Sequence, residues 1–188
     1  MANKDAPFGL KPIGKVGQNR DNQGLSEYDI AASATAIFQN DPVEMLATGT
    51  IGVAAAGDTT ILGSLNGVFF TDANTSKPTF ANHLDASNAA TDIKGFVTDD
   101  PYQRYEIQAD GATAAADVGL NADFVYAAGS SPDYVSKVEL DTSDQKTGTA
   151  QLRIIGISKD PENNTAGSAN VNLVVIINEH QLKGTTGV

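Results

Sequence analysis

Apolar and polar positions alternate with period two through the second half of the chain. In the clearest run, Val171, Leu173, Val175 and Ile177 alternate with Asn170, Asn172, Val174, Ile176 and Asn178. Successive side chains of a strand point to opposite faces, so this run predicts a strand that is polar on its outer face at both ends and apolar on both faces in its middle. Residues 151–157 and 134–140 read as two further strands divided by the turn-rich 141–148, and the loop 160–168 precedes the last strand. Earlier candidates are 28–38, 43–53, 60–65, 67–71, 95–97 and 102–109.

Helical periodicity is thin. Residues 112–118 allow one or two turns, with Thr113 as cap and Gly119 as stop. Residues 72–91, rich in Asn, Ser, Thr, Ala and Asp, read as a long loop of the kind that often makes contacts. Short strands at this spacing, punctuated by many of the 18 glycines, predict an all-β body: a β-sandwich, jelly roll or barrel-like fold.

The first residues do not share this pattern. Phe8, Leu10 and Ile13 are interleaved with Pro7, Pro12, Gly9 and Gly14, which disfavour both a helix and a central strand. Lys4, Lys11, Lys15 and Arg20 against Asp5 give the first 20 residues a formal charge of +3, leaving −14 of the total −11 to the remainder. The chain therefore divides into an extended basic arm, residues 1–24, and a single β-rich domain, residues 25–188. The arm is expected either to order on a partner or to fray as a chain end.

At 188 residues the chain can bury an ordinary core. It has no cysteine, which removes disulfides and thiolate metal sites. The acidic body, with a pI near 4.4, disfavours direct nucleic-acid binding. No apolar run reaches the roughly 18 residues of a membrane span, and no secretory signal is visible, so a soluble product made in the cytoplasm is expected.

The signatures of phosphate loops, dinucleotide folds, nucleophile elbows and zinc proteases are missing, and only His83 and His180 are available as imidazoles. Both are expected at the surface. Asp99-Asp100 before Pro101 is the one adjacent acidic pair, and its side chains should diverge in a turn closed by Asx hydrogen bonds. Asp160-x-Glu162-x-Asn164 starts like a calcium loop, but Thr165 and Val171 stand where such a loop needs Gly and Glu. The sequons at Asn74 and Asn163 read as loop composition. No catalytic residue, cofactor or metal is expected.

In order along the chain, Ala6-Pro-Phe-Gly-Leu-Lys-Pro12, Gly67-Val-Phe-Phe70, Val97-Thr-Asp-Asp-Pro101, Tyr105-Glu-Ile-Gln108, Asp117-Val-Gly-Leu-Asn121 and Ile177-Asn-Glu-His180 resemble a family of tailed-bacteriophage capsid decoration, or cement, proteins. The resemblance departs at Lys77-Pro-Thr-Phe-Ala-Asn-His83, where a Tyr- or Trp-rich loop belongs. It implies a virion structural protein on the capsid exterior, a homotrimer bound to the major capsid protein, with no nucleic-acid or membrane partner. Phe8, Leu10 and Ile13 are then expected to anchor in grooves of the capsid protein or a neighbouring copy, with Lys4, Lys11, Lys15 and Arg20 facing acidic surface. The rival readings are a non-catalytic carbohydrate-binding β-sandwich, set against the 6% aromatic content and lack of Trp, and more distantly a glycosidase built on paired carboxylates.

Overall fold

The computed structural model describes residues 2–17, 24–57 and 60–183. Over these residues the body is all-β, with antiparallel pairing throughout its sheets. One sheet has five strands in the order β1 (Lys11–Lys15), β8 (Gln103–Gln108), β13 (Asn172–Ile177), β12 (Leu152–Ile157) and β9 (Asn121–Ala122). The other has six: β2 (Ser26–Asp29), β7 (Lys94–Thr98), β5 (Gly63–Thr71), β3 (Pro42–Met45) and β4 (Ile51–Val53), with β6 (Pro78–Ala81) also on β5. A small ribbon pairs β10 (Phe124–Val125) with β11 (Glu139–Leu140).

The period-two pattern explains the burial. Leu173, Val175 and Ile177 of β13, Tyr105 and Ile107 of β8, and Leu152 and Ile154 of β12 point inward into one cluster, which Phe124, Leu140 and Leu10 complete. A second cluster gathers Ile37, Val43, Ile51, Leu62, Leu65, Val68, Leu84, Ile93 and Val97 around the six-stranded sheet. The segment after β13 joins the sheets. Ile61 N donates to Glu179 O at 2.8 Å, Gln181 N donates to Ile61 O at 2.9 Å, and the Gln181 amide exchanges hydrogen bonds with the backbone of Met45 at 2.7 and 3.1 Å.

Several strands differ in extent from their expectation. The run 28–38 stops at Asp29, where the chain turns through Ser33 at φ 59. Residues 43–53 form a hairpin, closed by Leu46 N to Thr50 O at 2.8 Å. Residues 60–65 and 67–71 merge into the single bulged strand β5. In 134–140 only Glu139–Leu140 is a strand: Tyr134 enters at φ 52 and Val135 makes just an isolated bridge to Gln39.

The long loop expected at 72–91 is corrected: it contains β6, and Asp72 closes a tight turn by accepting from Asn74 N, Thr75 N and Thr75 Oγ1. Pro78 opens that strand, at the position where a missing donor is tolerated. The helical turn expected at 112–118 is the 3-10 turn Ala115–Asp117, closed by Gly119 at φ 104. Thr113 lies buried outside it and accepts from Gln145 instead of capping.

Candidate functional site

The arm is fastened to its own body. Asn3 Nδ2 donates to Thr165 O and Ala169 O at 3.2 and 2.9 Å, and Asn3 Oδ1 accepts from Thr165 N. Lys4 N donates to Asn163 Oδ1 at 2.9 Å while Asn163 Nδ2 and Gln108 Nε2 donate to Lys4 O at 2.8 and 3.0 Å. Ala6 N donates to Gln108 Oε1, Asn40 Nδ2 to Phe8 O, Leu10 N to Asn40 O, and Ser64 Oγ to Leu10 O at 2.6 Å. Among these partners the side chains of Gln108, Asn163, Asn40 and Ser64 are buried or half-buried and satisfy an otherwise unpaired backbone, and β1 then adds the arm to the edge of the five-stranded sheet beside β8.

The expected anchors fall into different places. Leu10 is fully buried in the chain's own core, so the expectation that it reaches into a partner is corrected: it pins the arm to the body. Phe8 is half-buried, with Lys11 Nζ 5.7 Å from its ring centroid. Ile13 sits at a β-bulge between Pro12 and Gly14 and stays 43% exposed. Lys11 and Lys15 meet acids of the same chain, Glu106 at 3.6 Å and Asp100 at 2.6 Å. Lys4 holds the body through its backbone and leaves its side chain exposed. Arg20 lies outside the described residues.

The two histidines are not surface groups. His180 is 2% exposed; burial pulls its imidazole down to about 4, and nearby Lys183 acts in the same direction. Its Nδ1 accepts from Leu182 N at 3.1 Å, and its Nε2 is buried without a hydrogen-bond partner. His83 is stacked on Tyr134 with ring centroids 3.8 Å apart, and Phe38 lies further out on the same stack at 6.3 Å. The acidic pair diverges into a turn: Asp99 accepts from Tyr28 Oη at 2.7 Å, and Asp100 accepts from Tyr102 N at 2.8 Å while pairing with Lys15. Asp160 spends its oxygens on Glu162 N and Asn172 Nδ2, and Asn163, although part of a sequon, is a buried clamp on the arm.

Among the described residues, each of the two larger sheets also presents a face to solvent. On the six-stranded sheet, Phe69, Phe80 and Phe96 from three adjacent strands form an aromatic group, with centroids 4.8 Å apart for Phe69 and Phe80 and 6.4 Å for Phe80 and Phe96; Phe80 is 75% exposed. On the five-stranded sheet, Arg104, Glu106, Val174, Ile176 and Arg153 face outward, opposite the buried Tyr105, Val175 and Ile154. None of these outward residues stood out as a site in the sequence. Their one trace there is the Val174 and Ile176 pair, apolar on the face that the flanking asparagines mark as outer. No protein-family model, curated protein or solved structure matches the chain.

Proposed function

We propose that this chain is a non-enzymatic virion structural protein that decorates the outside of an icosahedral phage head, bound as a homotrimer to the shell of the major capsid protein. The observation that carries the reading is the ordered series of motifs from Ala6-Pro-Phe-Gly-Leu to Ile177-Asn-Glu-His180, together with where those residues sit. The arm motif is bonded to Asn40, Ser64 and Gln108, the motif around Tyr105 lies in the core, and His180 lies where the two sheets are joined. Residues used in this way support a rigid module that acts through its outer surfaces. A rigid clamp loses little entropy on attachment, and many copies on one particle multiply a modest contact.

The test is co-sedimentation of the purified protein with heads prepared without it, followed by imaging of the particles. Saturable binding with added density on the outer surface at symmetric positions is expected. Absence of binding, or density inside the shell, overturns the reading.

The Phe69–Phe80–Phe96 group favours the second reading, a carbohydrate-binding module, because an exposed ring can stack on the apolar face of a sugar. Under that reading the chain retains glycans on an array and Phe80→Ala abolishes retention. Under the first reading it decorates heads with no glycan dependence.

A further inference from the structure

We propose that the solvent face of the five-stranded sheet is the surface set against an acidic protein surface that also offers apolar side chains. The proposal rests on the shell-binding reading above and names the face by which such binding occurs.

Register assembles the face. Direct cross-strand partners share a side of a sheet. Gly14, Arg104, Ile176, Arg153 and Asn121 therefore form one row across all five strands. Lys11, Glu106, Val174 and Gly156 form the next. At the edge, Ile13, Arg104, Ser158, Lys159 and Val174 line an open hollow of about 370 Å³.

The charge of this face is opposite to that of the molecule. Lys11, Arg104 and Arg153 lie in its rows and Lys159 lines the hollow, so four cations share this face with the carboxylate of Glu106 in a chain of net charge −11. Lys11 and Lys15 are matched by Glu106 and Asp100. Arg104 and Lys159 make no ion pair among the described residues, and Arg104 Nε is buried without a hydrogen-bond partner. A guanidinium held in a sheet row beside Ile176, with no carboxylate of its own, is matched by a carboxylate from outside, which it can bind through two parallel hydrogen bonds.

The apolar residues decide the class of partner. Ile13, Val174 and Ile176 lie among the cations, where a phosphate backbone gains nothing from them, and the two rows carry no aromatic ring on which a base could stack. The overall negative charge also repels a polyanion, whereas a folded protein can present a local acidic patch.

The experiment is co-sedimentation of full-length variants with heads prepared without the protein, across a salt series. Arg104→Glu and Lys159→Glu are expected to weaken binding by about tenfold or more and to reduce its salt sensitivity. Lys77→Glu and Lys137→Glu, the same charge change at exposed positions elsewhere, are expected to stay within about twofold of wild type. Thermal melting reports whether each variant is folded, and Arg104→Gln, which removes charge without reversing it, replaces Arg104→Glu if that variant does not fold. Wild-type binding by Arg104→Glu and Lys159→Glu, or equal losses in all four charge reversals, overturns the proposed face while leaving the virion reading standing. Failure of the wild type to bind heads overturns both. Retention of a DNA or RNA oligonucleotide by the wild type that is lost in Arg104→Glu assigns the face to nucleic acid and overturns the proposal.

Discussion

Lys4 and Asn163 hold each other by two hydrogen bonds, Lys4 N to Asn163 Oδ1 at 2.9 Å and Asn163 Nδ2 to Lys4 O at 2.8 Å, across 159 residues of sequence. A primary amide is the side chain that can accept from one peptide group and donate back to the same residue. Asn163→Ala removes both bonds and leaves the partly buried Lys4 N without its acceptor, while Lys4 O keeps Gln108, so a loss of about 1–3 kcal/mol is expected in urea denaturation. Asn163→Asp keeps the acceptor and loses the donor, and should fall between the two. Trypsin should cut after Lys4 faster in the alanine variant; an unchanged cleavage rate would show that the arm is held elsewhere.

Leu10 and Ile13, three residues apart, should respond in opposite ways. Leu10 is fully enclosed, so Leu10→Ala opens a cavity in the main cluster and is expected to cost about 2–5 kcal/mol. Ile13 is 43% exposed, and Ile13→Ala should stay within about 0.5 kcal/mol in the same assay. Deleting the arm through β1 would expose Leu10's cavity and the edge of β8, so the truncated chain should melt well below the full one. Equal melting temperatures would restore the arm to an independent extension.

Strands β8, β12 and β13 were legible because one of their faces is buried, so that burial alternates from Leu173 to Ile177, whereas β1 in the arm and the two-residue β9 carry too little pattern to show. β6 was not legible, since its large apolar residue Phe80 is 75% exposed and its apolar content marks no inner face. The arm showed its composition but not its destination. Phe8, Leu10 and Ile13 look alike in sequence, and only the positions of Asn40, Ser64 and Asn163, distant in the chain, decide which of them is buried. The basic face was hidden for a related reason: Arg104 is distant in the chain from Arg153 and Lys159, and the pairing of β8, β13 and β12 brings them to one sheet.

At Gly9 the arm lies tight against the body. It takes φ +73, and a Cβ there would lie 2.5 Å from both Asn40 O and Ser136 Cβ. Gly17 has a similar φ of +68 with open space around it. Gly17→Ala should therefore cost only the left-handed backbone penalty, about 1–2 kcal/mol, while Gly9→Ala adds overpacking of about 1–3 kcal/mol and loosens the Leu10 N to Asn40 O bond. Denaturation of the pair measures the difference, and amide exchange at Leu10 should rise in Gly9→Ala alone. Similar costs at the two sites would mean that the chain gives way at Ser136 without strain.

Asp41 and His180 set opposing pH dependences inside the fold. Asp41 is fully buried, and burial pushes its carboxyl from 3.8 up to about 6 despite the hydrogen bond from Phe38 N. His180 moves the other way, from 6.5 down to about 4, because burial disfavours its charged form. As pH falls from about 6 to 4, the folded protein takes up a proton at Asp41 before the unfolded chain does, which favours folding. Over about 6.5 to 4, the unfolded chain takes up a proton at His180 first, which opposes it. The wild type should thus show a shallow stability profile across this window. Asp41→Asn removes the first effect and keeps an acceptor for Phe38 N. It is expected to be more stable than wild type by on the order of 3 kcal/mol above pH 7, to lose that advantage through the window, and to match wild type near pH 4. Its own profile should fall steeply on acidification, driven by His180. Urea denaturation at several pH values checks both curves. A constant difference between wild type and Asp41→Asn at every pH would mean that Asp41 does not titrate between the folded and unfolded states, and that its part in the fold is purely that of a hydrogen-bond acceptor.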